Sequence, residues 1–152
     1  MRTGLLCCLL FLLLPLPASA ATPETEVRAV ITAYQDALAD RNIAHLQKTV
    51  GSDLISIENG SRREGWGQVR DRRLIPQFAR PAPAARWQIV KLSASADMAW
   101  AYTKSLLASP HKGDAVVWTV FVLERRGKEW RIVLVDQSSS HAPTATPKPA
   151  HR

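Results

Sequence analysis

Seven arginines stand between Arg62 and Arg86, and within that stretch only Glu64 and Asp71 oppose them. A guanidinium is a permanent cation with a planar fork of donors, so such a cluster can attract a carboxylate, a sulfate-like anion or an anionic envelope surface. The same run also fits a solvated basic edge, and both readings stay open. Asp136 is a second candidate, because alternation puts it on one strand face with Trp130, Ile132 and Leu134. A carboxylate on an apolar face is either paired, for instance with an arginine, or functional. Trp66, Trp100, Trp118 and Trp130 supply aromatic surface. Such rings can wall a small-molecule pocket or pack in a core or dimer face.

Several chemistries lack their residues. The four histidines, His45, His111, His141 and His151, read as a helix surface, a turn, a strand end and the tail. No two share ligand spacing on one element, so no metal site is expected. The two cysteines, Cys7 and Cys8, both fall inside an N-terminal apolar run. Thiol catalysis and cysteine-bound zinc are therefore not expected, nor are disulfides. Gly-rich phosphate loops are missing, and Ser138-Ser139-Ser140 has no positioned His-Asp pair. No cofactor is expected.

The N-terminus reads as an address label. Arg2 precedes the apolar run Leu5 to Leu14, Pro15 and Pro17 break it, and Ala18-Ser19-Ala20 gives a small-x-small cleavage pattern. The run is too short for a membrane span, which needs ~20 apolar residues. The expectation is a signal peptide over 1–20, cleaved after Ala20, and a periplasmic or secreted protein. The formal net charge is +7. Export and the lack of aromatic-basic interleaving argue against a nucleic-acid partner.

The elements that must position these residues follow an unusual order. Thr22-Pro23-Glu24 is a helix start, with Val27, Val30, Ile31, Tyr34 and Leu38 at helical spacing behind it. Asp40-Arg41-Asn42 breaks this helix, and Asn42 caps a second one through Ile43, Leu46 and Val50. Leu54 to Ile57 is a short strand, and Glu58-Asn59-Gly60 turns into a second at Ser61 to Glu64. Trp66 to Phe78 is a helical patch that Pro76 should end or kink. Four strands then follow, at Trp87 to Ala94, Ala99 to Ala108, Ala115 to Glu124 and Trp130 to Ser140. This is not βαβ alternation. It predicts an α+β domain over 21–141, with helices on one face of a curved antiparallel sheet and a hollow between them. The tail over 142–152 is expected to be disordered.

Three stretches carry a family resemblance. They are Tyr34-Gln35-Asp36-Ala37-Leu38-Ala39-Asp40-Arg41-Asn42, then Glu58-Asn59-Gly60 with Gly65-Trp66 and Arg70-Asp71-Arg72-Arg73-Leu74, and finally Gly127-Lys128-Glu129-Trp130-Arg131-Ile132-Val133. In order and spacing the chain resembles the nuclear transport factor 2-like (NTF2-like) superfamily, the cone-shaped domain of ketosteroid isomerases and SnoaL-type cyclases. It is most similar to the small bacterial SnoaL-like or ketosteroid isomerase-like branch. The resemblance implies catalytic positions. Tyr34 falls where the isomerases hold an oxyanion donor, and Glu58 where they hold a carboxylate base. Without that analogy, Tyr34 fits a core position and Glu58 a solvent-exposed turn. The chain departs from the family pattern elsewhere. Val116 stands at the second acid, and Arg72 and Arg73 stand where many relatives carry histidine.

The implied ligand pocket combines Tyr34, Glu58, Trp66, Trp118 and Asp136. The expected function is capture of a small apolar or weakly acidic ligand without turnover. The alternatives are an isomerase, dehydratase or cyclase using Glu58 and Tyr34, and an interaction-only module. Homodimers through the outer sheet face are expected, with Val117, Phe121 and Val133 as candidates for that face.

Overall fold

The structure is a computed structural model that describes residues 21–81, 84–108 and 114–141. The signal peptide and the tail expected from sequence lie outside those residues, as do His111 and His151. Helix α1 (Pro23–Ala39) begins where Thr22 accepts a hydrogen bond from the Thr25 N–H, with Pro23 in the first turn. Val27, Ile31, Tyr34 and Ala37 form its buried stripe. Arg41 adopts a left-handed φ of 56°, which turns the chain sharply. Asn42 then caps α2 (Ile43–Thr49) by accepting from the His45 N–H at 3.0 Å. Leu46 is the buried anchor of that helix.

Strand β1 (Val50–Glu58) starts at Val50, which the sequence pattern had given to the helix. Asn59 and Gly60 both have positive φ, as a tight hairpin turn requires, and return the chain into β2 (Ser61–Glu64). The helical patch that follows is split. A turn of α-helix, α3 (Trp66–Val69), runs into a π-helical segment (Arg70–Leu74) and then into α4 (Ile75–Phe78). The wider π turn comes just before Pro76, in the part of the patch where a break was expected.

Strands β3 (Ala84–Ala94), β4 (Met98–Ala108), β5 (Ala115–Arg126) and β6 (Glu129–His141) complete a six-stranded sheet in the order β2-β1-β6-β5-β4-β3. The sheet is mixed rather than antiparallel, because β1 lies parallel to β6. Helices cover one face, which makes an α+β cone. Phe121, Leu123 and Ile132 are fully buried on that inner face beneath Val27, Ile31 and Leu46. Burying side chains of this size is worth about 1.5–3 kcal/mol each, so the core holds α1 and α2 against β5 and β6.

The two sheet faces correct the expected dimer residues. In β5 the buried set is Ala115, Val117, Thr119, Phe121 and Leu123. Val117 and Phe121 therefore point inward, and Val116, Trp118 and Val120 point outward. In β6 an extra residue, Val133, lies between Ile132 and Leu134, which pair with Leu123 and Val122. Such a bulge reverses the alternation beyond it. Val135 and Gln137 consequently share the inner face with Trp130 and Ile132.

Candidate functional site

The core changes character toward one end. On the inner face, Ser56 and Glu58 of β1, Gln137 of β6, Thr119 of β5 and Ser105 of β4 follow the apolar residues. Buried polar groups need partners, so this end must be covered by something that hydrogen-bonds. Arg73 covers it. The π segment closes with the Ile75 N–H bonded to the Arg70 carbonyl, and its geometry buries Arg73 and Leu74 while leaving Asp71 and Arg72 exposed. Single π turns of this kind recur at functional sites.

The Arg73 side chain is only 6% exposed. Its Nη2 donates to Gln137 Oε1, and its Nη1 reaches Ser56 Oγ at 3.5 Å. Its Nε lies 3.2 Å from Glu58 Oε2 but makes no properly angled hydrogen bond. Arg63 Nη1 approaches the same oxygen at 3.8 Å and is also buried without an acceptor. Glu58 is thus a half-exposed carboxylate facing two guanidiniums, and it satisfies neither.

This group forms one wall of a cavity of about 390 Å³ at the cone mouth. Arg41, Arg63, Arg72, Arg73 and Arg80 line it with Glu58, and Leu38, Pro76, Phe78 and Pro81 give it apolar walls. Arg41 Nη1 bonds the Phe78 carbonyl at 3.1 Å, which ties the α1–α2 corner to the end of α4. The volume falls within the ~300–1,000 Å³ typical of small-molecule sites.

Tyr34 lines a different space. Its ring is buried edge-on against Phe121, with centroids 5.5 Å apart. It borders an inner void of about 60 Å³. Leu38, Arg73 and Gln77 border both spaces and stand between them. Tyr34 and Glu58 therefore do not converge on one hollow.

The other expected pocket residues lie apart. Trp66 is buried beside Gln47, Ser52 and Arg131, away from the cavity. Trp118 is on the outer face, stacked on Tyr102 at 4.9 Å and 7°, with Lys104 Nζ 5.3 Å from its ring centroid. Asp136 is exposed on that outer face opposite Val120, because the Val133 bulge reverses its direction. The sequence reading did not single out Arg41, Gln77, Gln137 or Ser56, and Arg63 stood out only as part of the basic stretch. Polar residues at inward positions of otherwise apolar strands, such as Thr119 among valines, were the available signal. Among the described residues, no cluster of three or more His, Cys, Asp or Glu is placed to hold a metal ion.

A family model described as a SnoaL-like domain matches residues 27–142. The chain belongs to that family. No curated protein matches it significantly. Solved structures described as ketosteroid isomerase-like and NTF2-like share its fold. A ketosteroid isomerase-like protein from Erwinia carotovora atroseptica superposes with a TM-score of 0.69 at 16% identity, covering 78% of this chain and 97% of that one. An NTF2-like protein of unknown function from Pseudomonas putida gives 0.65 at 16% identity, with 76% and 84% covered. Another from Shewanella oneidensis gives 0.63 at 16% identity, with 77% and 99% covered. At such identities the likeness extends to the fold alone, so function must be argued from the site. Among the described residues, no helix of this SnoaL-like domain is long and apolar enough to cross a membrane.

Proposed function

We propose that this SnoaL-like domain binds a small, weakly acidic organic ligand at its arginine-lined mouth, without turnover. The observation that carries the reading is Arg73, a guanidinium held 6% exposed in the wall of a cavity of about 390 Å³. Desolvating a guanidinium is costly, and a bound anion offsets that cost. The acid group sits among Arg63, Arg72 and Arg73, and the apolar body rests on Leu38, Pro76 and Phe78. The enzyme reading, with Glu58 as base and Tyr34 as donor, is disfavoured because Arg73 and Gln77 stand between the two groups.

Titration with benzoate and related aromatic acids tests the proposal. Binding should saturate, and Arg73→Leu should weaken it by at least about tenfold, the loss of one charge-assisted contact. Equal binding by Arg73→Leu would sink it. Turnover of a carbonyl substrate that is lost in Glu58→Gln would restore the enzyme reading.

The ligand-binding unit is proposed to be an exported homodimer. The apolar outer face, with Trp100, Leu106 and Val120 exposed, supports pairing. A monomeric mass at micromolar concentration would remove the dimer. A mature N-terminus other than Ala21 would remove the proposed cleavage.

A further inference from the structure

Resting on that binding reading, the geometry points to an organic dianion as the ligand class: a phosphate monoester or a paired carboxylate carried on a compact apolar body. Two observations carry this. Five arginines line the cavity against the single carboxylate of Glu58, so the lining keeps a large positive excess after that pairing. A monoanion would leave most of it uncompensated.

The second observation is local. Arg63 Nη1 and Arg73 Nε are both buried, and neither has an acceptor. Both face the same oxygen, Glu58 Oε2, but Arg63 Nη1 is too far from it at 3.8 Å, and Arg73 Nε, at 3.2 Å, is too poorly angled for a hydrogen bond. One oxygen faces two unsatisfied donors from different arginines. A group presenting two or three charged oxygens can answer each donor separately. On this account Glu58 is the internal counter-ion that holds the guanidiniums in place until the dianion arrives. It yields the Arg63 and Arg73 donors on binding. Phe78 and Pro81 then flank the apolar body.

Calorimetric titration of the purified protein at neutral to slightly basic pH, where a phosphate monoester is a dianion, tests the assignment. The probes are phenyl phosphate, phthalate, phenyl sulfate, benzoate and inorganic phosphate. Phenyl sulfate keeps the tetrahedral shape with one charge fewer, so it separates charge from shape. The expected result is that phenyl phosphate or phthalate binds at least about tenfold more tightly than phenyl sulfate and benzoate. Whichever of the two binds more tightly identifies the acid group. Arg63→Gln should erase most of that preference, weakening the dianion several-fold more than it weakens benzoate. Glu58→Gln should tighten the dianion several-fold, and this arm stands if Arg63→Gln fails to fold. Dianions and monoanions binding within threefold of each other would overturn the dianion assignment and leave the binding reading intact. Inorganic phosphate binding as tightly as the aryl compounds would overturn the apolar-body part. No saturable binding by any probe would overturn both readings.

Discussion

Two of the arginine–glutamate groupings in the cone, one at each end, look alike and differ in how they are finished. At the end away from the mouth, Glu26 of α1 accepts from Arg125 and, at 3.0 Å, from the Trp130 indole. Arg125 also donates to the Ala96 carbonyl at 2.9 Å, and its guanidinium lies 4.7 Å from the Trp130 ring centroid. At the mouth, Glu58 faces Arg63 and Arg73, and a donor of each is left without an acceptor. A finished pair is a staple, here joining α1 to the β5–β6 hairpin. An unfinished pair in a cavity wall has room for an outside partner. The difference separates stability from binding within one inner surface.

That separation gives opposite outcomes for substitutions at the two ends. The largest effect is expected for Trp130→Ala, which removes a buried ring and the indole bond to Glu26 together. Truncations of this size cost about 3–5 kcal/mol, or a fall of roughly 10–20 °C in Tm for a domain of this size. Benzoate affinity should stay within twofold, because Trp130 does not line the mouth cavity. Calorimetric melting and titration of the same variant would read both. A large affinity loss without a Tm change would erase the distinction.

Arg73→Leu is the mirror experiment. Removing one partner of an ion pair is costly when the other charge stays buried, but Glu58 is already part exposed and can turn to water. The Tm should therefore move by only a few degrees. The affinity should fall by about 10–100-fold, the scale of one charge-assisted contact. A variant that melts far lower would make Arg73 a second staple.

The contrast between the two ends was only partly legible in the sequence. The helix-helix-strand order and the turn residues Asn42, Asn59 and Gly60 act locally, so their positions in the chain already specify the cone. Parallel pairing of β1 with β6 is a long-range choice that no local pattern encodes. The Val133 bulge is equally silent, and it alone moved Asp136 from the expected pocket to the outer face. Trp118 was misplaced because β5 is apolar on both faces, which leaves alternation nothing to read. Arg72 and Arg73 belong to the basic stretch read as able to attract an anion. Which of them turns inward is decided by the π segment, a change of helical pitch with no strong sequence signature. Tyr34 was rightly seen as core-facing, but its separation from Glu58 depends on Arg73 crossing between them.

Acid sharpens the comparison further. The Trp130 and Arg125 hydrogen bonds hold the Glu26 carboxyl below its ordinary value of 4.5. A carboxyl lowered by folding adds stability above its unfolded value, and that stability is lost as pH falls through the folded one. The gap in Tm between the wild type and Glu26→Gln should therefore be widest near neutral pH and narrow as pH falls below 4.5. Asp53, also lowered by its bond to Arg126, is present in both proteins and cancels from the difference. Melting curves from pH 7 to pH 3 would measure it, and a gap that widens in acid would contradict the assignment.

The smallest effect belongs to Arg62, and its smallness carries weight. Arg62 is in the same basic stretch as Arg63 and pairs with Glu64, but both side chains are 59% exposed. An exposed pair of this kind contributes about 0–1 kcal/mol, so Arg62→Ala should leave Tm unchanged to within a degree or two. It does not line the mouth cavity, so anion affinity should fall by less than twofold at ~0.15 M salt, where the screening length is about 8 Å. The comparison with Arg73→Leu separates two ways a basic stretch can attract an anion. If diffuse charge does the work, the two substitutions weaken binding alike and raised salt abolishes the remainder. If the unfinished donors around Glu58 do the work, only the buried arginine matters and the salt dependence stays shallow. Titrations of both variants at two ionic strengths would decide between a charged surface and a built site.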